Sequence, residues 1–157
     1  MTTIEEAIAY ATNALGIQYK LKSFQKDVIN SYANGQDCFC VAPTGAGKSL
    51  TFTMAPFVMD WLKGYRNQEY TNSVIVIIQP LVALMKEQAR RLNKSGIQTV
   101  YMGSENVNYD DVCSGKFNVN IASPETATSD RFLKLLKSLK EQLAVIFVDE
   151  GHCIHAM

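Results

Sequence analysis

Residues 42–49 read Ala42-Pro43-Thr44-Gly45-Ala46-Gly47-Lys48-Ser49. The segment before them, Asp37 to Ala42, is predicted to form a strand, and the apolar segment after them, Leu50 to Leu62, has helical period. This order of strand, glycine-rich loop and helix is typical of a phosphate-binding loop, whose pattern is Gly-x-x-x-x-Gly-Lys-Ser/Thr. The chain departs from the pattern at one position, since Ala42 replaces the first glycine.

The loop has the chemistry that nucleotide phosphates require. Gly45 and Gly47 let backbone N–H groups turn inward, and the following helix presents its positive N-terminal end. We expect Lys48 to reach the β- and γ-phosphates and the Ser49 hydroxyl to bind Mg²⁺. A chance glycine turn is the alternative, which the flanking strand and helix make less favourable. The expected nucleotide contacts of the loop are Thr44, Gly45, Ala46, Gly47, Lys48 and Ser49.

A second candidate site follows the apolar segment Leu143 to Val148, where Asp149 and Glu150 stand together. In open parallel sheets, ligands bind at the carboxyl ends of the strands. We expect Asp149 to hold Mg²⁺ and Glu150 to polarise the water that attacks the γ-phosphate. The alternative is that the two acids are ordinary polar residues at a strand end, with no catalytic or metal-binding role. The phosphate loop upstream favours the chemical interpretation, in which both sites meet across one magnesium ion and one triphosphate.

The rest of the chain alternates between helical and strand patterns. Helical period predicts helices from Thr3 to Leu15, from Ser23 as N-cap to Tyr32, from Leu84 to Leu92 and from Ser129 to Glu141. Strands are predicted at Val74–Ile78, Ile97–Met102, Val119–Ala122 and Leu143–Val148. This alternation predicts an α/β fold with a largely parallel sheet and helices on both faces.

Composition excludes several classes of protein. The 157 residues are 47% hydrophobic and 19% charged with a net charge of zero, which indicates one folded domain and gives no bulk-charge argument for nucleic acid or membrane. The N-terminus is acidic where a secretory signal is basic, and the longest strongly apolar run, Val74–Ile78, is too short to span a bilayer. The scattered cysteines lack metal-ligand spacing. We therefore expect a nuclear or cytoplasmic protein that is neither secreted nor membrane-bound.

Several blocks resemble one family. Asp149-Glu150-Gly151-His152-Cys153-Ile154 resembles the D-E-A-H-C-I signature of RecQ-type helicases of superfamily 2, with Gly151 in place of alanine. Residues 79–88, Gln-Pro-Leu-Val-Ala-Leu-Met-Lys-Glu-Gln, resemble that family's S-P-L-I-A-L-M-x-D-Q. Residues 21–25 resemble its F-R-P-G-Q block, and Ser123-Pro124-Glu125 resembles its S-P-E. Together with the phosphate loop, these blocks stand in the family's order from about Leu15 onward, which is more specific than any single block.

The resemblance implies a P-loop NTPase of RecA-like, three-layer α/β/α architecture with a mostly parallel sheet. It also implies an enzyme that uses ATP and Mg²⁺ to translocate 3′ to 5′ on DNA and unwind it. The DNA partner is a single strand or a junction between duplex and single strand.

The resemblance also implies roles for individual residues. Gln25 is expected to read the adenine edge, for which its amide offers a donor and an acceptor, with Lys22 near the base. Tyr19 is a candidate for stacking on the base. His152 is expected to couple the nucleotide site to the DNA side. The expected catalytic residues are Lys48, Asp149, Glu150 and His152. The expected nucleic-acid contacts are Pro80, Leu81, Ser123, Pro124 and Glu125.

Lysines and arginines also form a stripe on one predicted helix face, at Lys86, Arg90 and Lys94. Because the net charge is zero, we interpret this stripe as a solvated surface in preference to a nucleic-acid site.

The sequence stops soon after the Asp-Glu-Gly-His motif, where RecQ relatives continue with a further strand and a second RecA-like lobe. We therefore expect residues 1–157 to be the ATP-binding part of a first lobe, incomplete at the C-terminus, with the second lobe absent. Such a fragment is expected to expose unpaired strand edges and to bind ATP weakly without unwinding DNA. Two alternatives stay open: another superfamily 2 motor acting on RNA or DNA, and a non-catalytic nucleotide-binding module from a truncated gene.

Overall fold

A computed structural model describes residues 3–42, 46–65, 72–102 and 117–149. The chain divides into two compact units, residues 1–73 and 74–157. Within the described ranges, no helix is both long and apolar enough to cross a bilayer.

The first unit consists of helices α1 (Thr3–Ala14), α2 (Ser23–Ala33) and α3 (Ser49–Lys63). Helix α3 packs against both α1 and α2. Tyr10 of α1 and Trp61 of α3 place their ring centroids 5.0 Å apart. The core of this unit contains the fully buried side chains of Ala7, Ala11, Ile29, Met54, Ala55 and Val58. The three helices confirm the apolar periodicity that predicted them.

The predicted strand from Asp37 to Ala42 is wrong. The segment is described but is not a strand, and Phe39 and Val41 are 79% and 84% exposed. A strand requires a neighbour for its backbone N–H and C=O groups. No described residue pairs with this segment in the sheet. Its apolar residues alone were therefore not enough to make it a strand.

The second unit is built on four strands, β1 (Val74–Ile78), β2 (Thr99–Met102), β3 (Val119–Ala122) and β4 (Leu143–Val148). They form one sheet in the order β2-β3-β1-β4, and every pair is parallel. The α/β class and the parallel sheet are therefore as predicted. The first four residues of β1 are buried, as expected for a continuous apolar run inside a parallel sheet.

The same unit contains helices α4 (Val82–Lys94), α5 (Pro124–Ala127) and α6 (Asp130–Ser138). Ser129 caps α6, since its Oγ accepts a hydrogen bond of 3.3 Å from the backbone N–H of Phe132. One core cluster joins α6 to the sheet through Val74, Val76, Met102, Ala122, Phe132 and Leu135. Helix α5 was not predicted, because four residues are too few for a periodic signal.

Strand β4 exposes apolar side chains at the edge of the sheet. Ile146 and Val148 are 48% and 45% exposed, whereas Val76, which pairs with Ile146, is 1% exposed. Among the described strands, only β1 pairs with β4. Strand β4 therefore lies at one edge of the described sheet.

Candidate nucleotide-binding site

The described part of the phosphate loop, residues 46–49, leads directly into α3. Gly47 has a φ of 95°, a left-handed conformation that favours glycine. Lys48 is the N-cap residue and its side chain caps no backbone N–H. Within the described part of the loop, no side chain caps the first turn of α3, whose backbone N–H groups are donors of the kind that can bind an anion. The predicted contacts Thr44 and Gly45 lie outside the described residues.

The loop backbone is held by two residues of the block that precedes it. Gln25, which is 3% exposed, donates from Nε2 to the carbonyl oxygen of Gly47 at 2.9 Å and accepts at Oε1 from the Lys22 N–H at 2.8 Å. Lys22 Nζ donates to the carbonyl oxygen of Ala46 at 2.8 Å. The predicted adenine contacts therefore touch the phosphate loop. Tyr19, the stacking candidate, is 63% exposed.

The start of α2 differs from the prediction. Lys22, not Ser23, is the N-cap residue. The side chain of Gln25, three residues on, accepts from the Lys22 backbone N–H as in a capping box. One buried amide thus fixes both the beginning of α2 and the phosphate loop.

A second group of residues lies at the carboxyl edge of the sheet. Gln79, Ser123 and Asp149 follow directly after β1, β3 and β4. The Gln79 N–H donates to Ala122 at 2.9 Å, and the Asp149 N–H donates to Ile78 at 2.9 Å. These bonds continue the parallel ladder by one residue and place the three side chains in one row. Asp149 thus occupies the edge that the sequence predicts, while Glu150 and His152 lie outside the described residues.

Gln79 joins two other polar side chains at this edge. Its Nε2 donates to Asp149 Oδ2 at 2.9 Å and to Oε1 of Gln88, on α4, at 3.3 Å. The Gln79 side chain is 3% exposed. Gln79 is not among the site residues predicted from the sequence, although a polar residue directly after a buried apolar strand was a usable signal.

The donor chemistry fits magnesium. Asp149 offers a half-buried carboxylate and Ser49 a hydroxyl, both hard oxygen ligands of the kind Mg²⁺ prefers. Among the residues that the structure describes, no three His, Cys, Asp or Glu side chains form a metal-binding group. Mg²⁺ is usually bound by one or two carboxylates together with substrate phosphates, so each of these donors, taken in its own unit, has the chemistry of a ligand to an ion that arrives with a nucleotide.

The predicted nucleic-acid contacts follow two neighbouring strands. Pro80 and Leu81 come after β1, and Ser123, Pro124 and Glu125 come after β3. Leu81 is 56% exposed. The Ser123 side chain is buried and acts as the N-cap of α5, since its Oγ accepts from the Thr126 N–H at 3.2 Å.

One residue of the basic stripe on α4, Arg90, forms an ion pair with an acidic residue of the same helix. Arg90 Nη2 lies 2.8 Å from Glu87 Oε1, and this guanidinium holds the pKa of Glu87 below its ordinary value. Lys86 and Lys94 are exposed. An exposed ion pair of this kind agrees with the interpretation of the stripe as a solvated surface.

A glycine-Lys-Ser loop entering a helix and an aspartate at the carboxyl end of a parallel strand define a nucleotide-binding domain of the P-loop class. The family model of the DEAD/DEAH box helicases matches residues 22–157. The chain belongs to this family, whose domain has a RecA-like fold.

Curated relatives cover most of the chain. The ATP-dependent DNA helicase Q-like SIM of Arabidopsis thaliana is 29% identical over 90% of it, and the ATP-dependent DNA helicase RecQ of Haemophilus influenzae is 29% identical over 94%. The putative ATP-dependent RNA helicase R290 of Acanthamoeba polyphaga mimivirus is 29% identical over 84%. The chain spans between 15% and 23% of the lengths of these relatives.

Proposed function

We propose that this chain is the ATP-binding part of the first motor lobe of a RecQ-type, ATP-dependent DNA helicase. In the intact protein, ATP hydrolysis drives translocation 3′ to 5′ and unwinding of DNA, with a single strand or a junction as substrate. The scattered cysteines suit a reducing compartment, so we place the protein in the nucleus or cytoplasm, which the localisation of a tagged copy tests.

One observation supports ATP binding most directly. Gln25 and Lys22 contact the carbonyl oxygens of Gly47 and Ala46. The two blocks that the sequence assigns to base and phosphate recognition are thus in contact. Gln25 retains a second N–H and a second lone pair for an adenine edge.

We assign each residue of the site a separate task. Lys48 neutralises the β- and γ-phosphates, and the loop N–H groups bind their oxygens. Ser49 and Asp149 would hold Mg²⁺, which would supply neutralising charge at the transferred phosphoryl group. Glu150 orients the attacking water and accepts its proton, and His152 links this step to bound DNA. The DNA backbone contacts the loops that begin at Pro80 and Ser123.

Titration with a fluorescent ATP analogue in the presence of Mg²⁺ tests the site. Lys48→Ala should weaken binding at least about tenfold, because a hydrogen bond to a charged group contributes about 1.5–3 kcal/mol. Lys26→Ala removes an exposed ammonium from α2 and should leave the affinity unchanged. Equal affinities for wild type and Lys48→Ala would contradict the proposal.

Stimulation of hydrolysis separates DNA from RNA as the substrate. Two of the relatives are named as DNA helicases and one as an RNA helicase. Cys153-Ile154 directly after the acid-His motif favours the RecQ type. We expect single-stranded DNA, and not RNA, to raise the hydrolysis rate of the intact protein. Stimulation by RNA alone would favour the other class of motor, and ATP binding without hydrolysis would favour a non-catalytic module.

A further inference from the structure

We propose that Gln79 is a positioning residue for the metal site: its buried amide fixes the Asp149 carboxylate in the orientation that binds Mg²⁺ and anchors it to α4 through Gln88. This inference rests on the proposed function, since it assumes that Asp149 is a metal ligand. Gln79 is the first residue of the motif block 79–88, but the sequence predicts no role for it in the metal site.

The orientation of the Gln79 amide follows from the chemistry of its neighbour. Asp149 Oδ2 lies 2.9 Å from Gln79 Nε2. A carboxylate only accepts hydrogen bonds, so the nitrogen and not the oxygen of the amide must face it. The second hydrogen on the same nitrogen points to Gln88 Oε1 at 3.3 Å. Both N–H groups of Gln79 are thus engaged, and rotation of the amide would break both bonds.

Burial makes a merely structural role for Gln79 unfavourable. The side chain is 3% exposed, and its Oε1 is buried without a hydrogen-bond partner among the described residues. Leaving a buried acceptor unsatisfied costs about 1–3 kcal/mol, whereas an apolar side chain of the same shape avoids that cost. A buried polar residue with an unsatisfied acceptor calls for an explanation, and a functional role supplies one.

The amide acts on the carboxylate and does not touch the metal. Outer-shell hydrogen bonds hold ligating carboxylates in place, and their loss typically lowers metal affinity about 10- to 100-fold. Gln88 belongs to α4, which begins one residue after Leu81. The carboxylate is thereby connected to the element that follows the loop proposed to contact DNA.

Gln79→Met is the decisive variant, because methionine has a similar volume but no N–H or C=O group. We expect it to lower the affinity for Mn²⁺ about tenfold or more, measured by electron paramagnetic resonance on the protein with ADP bound. Affinity for the nucleotide in EDTA should stay at the wild-type value, since the phosphate loop is untouched. Gln142→Met makes the same change before β4, at the opposite end of that strand, and should leave Mn²⁺ affinity unchanged.

The outcomes separate this inference from the proposed function. Asp149→Asn, tested in the same assay, should abolish tight Mn²⁺ binding. Unchanged binding in Asp149→Asn would overturn the proposed role of Asp149. Loss in Asp149→Asn with no change in Gln79→Met would overturn only the role of Gln79. If Gln79→Met does not fold, Gln79→Asn retains an amide that is one methylene too short to reach Asp149, and the same lowered affinity is expected; an unchanged value would again overturn the inference.

Discussion

Gly47 is constrained twice, by its backbone and by its neighbour. Its φ is 95°, and a Cβ at this position would lie 2.7 Å from Gln25 Nε2. A left-handed conformation costs a residue with a side chain about 1–2 kcal/mol. The Gln25 side chain would also have to move away from its hydrogen bond to the Gly47 carbonyl oxygen, and losing that bond costs about 0.5–1.5 kcal/mol. We therefore expect Gly47→Ala to lower the free energy of unfolding by more than the backbone conformation alone would cost, as measured by urea unfolding. We also expect it to weaken ATP binding, as measured by nucleotide titration.

Gly35 provides the matched control for this prediction. Its φ is 72°, and a Cβ there would meet nothing within 4 Å. Gly35→Ala should therefore lower the free energy of unfolding only by the cost of the left-handed backbone conformation, about 1–2 kcal/mol. Adding Gln25→Ala should remove the excess cost of Gly47→Ala. Equal costs for both glycines would show that the Gln25 contact does not constrain the loop.

Asp60 is a buried carboxylate with a structural task. It is 1% exposed and accepts backbone hydrogen bonds from Asn72 at 2.9 Å and Ser73 at 2.8 Å. In Asp60→Asn, the amide nitrogen cannot accept, so one of these two backbone N–H groups loses its partner. We expect a loss of about 1–3 kcal/mol in unfolding free energy, measured by urea denaturation. The control is Asp27→Asn, at an exposed position of α2, which should change the free energy of unfolding by less than about 0.5 kcal/mol. An equally small change in Asp60→Asn would contradict the structural role of Asp60.

The site residues differ in how far the sequence could identify them. The Lys48 and Asp149 positions follow from local motifs, because a glycine loop before a helix and an acid after an apolar strand are visible without the fold. The contact of Gln25 with Gly47 and that of Gln79 with Asp149 join residues far apart in the chain. Only the packing of the helices and the strand register bring such pairs together, so composition and periodicity could not predict them.

The helices and strands follow the same rule as the site residues: features that depend on nearby residues were predicted, and features that depend on distant residues were not. Amphipathic helices and the buried run Val74–Ile78 were predicted because apolar periodicity reports which face is buried. The segment Asp37 to Ala42 was predicted wrongly, because a strand also requires a partner that its own residues do not specify. Within the described ranges, strand β4 pairs only with β1 and exposes Ile146 and Val148.

An edge strand with exposed apolar side chains promotes self-association. We expect Ile146→Lys to reduce association of the 157-residue chain, measured by light scattering over a range of concentrations. Stability should change by less than about 0.5 kcal/mol, since the side chain is already half exposed. Leu133→Lys changes a similarly exposed residue of α6 and should leave association as it is. Equal effects of the two substitutions would point to general surface hydrophobicity and not to the strand edge.

At the scale of the whole molecule, the motor interpretation depends on whether Lys48 and Asp149 act on the same bound nucleotide. Lys48 belongs to the first compact unit and Asp149 to the second. Sequence motifs predict that both serve one ATP site, and the family match over residues 22–157 includes both positions. A thermodynamic test of this assignment is a double-mutant cycle on the affinity for MgATP.

Lys48→Ala and Asp149→Asn should each weaken MgATP binding, and the double variant should lose less than the sum of the two losses. The physical reason is that each residue acts through the same Mg²⁺-triphosphate, so removing one partner reduces what the other can contribute. Groups that share a ligand typically show coupling of about 0.5–3 kcal/mol, whereas independent sites add within about 0.3–0.5 kcal/mol. Lys48→Ala combined with Asp130→Asn, an exposed acid at the start of α6, should be additive. If the Lys48–Asp149 pair is equally additive, the two residues do not serve one nucleotide, and ATP-driven motor activity through this pair is excluded.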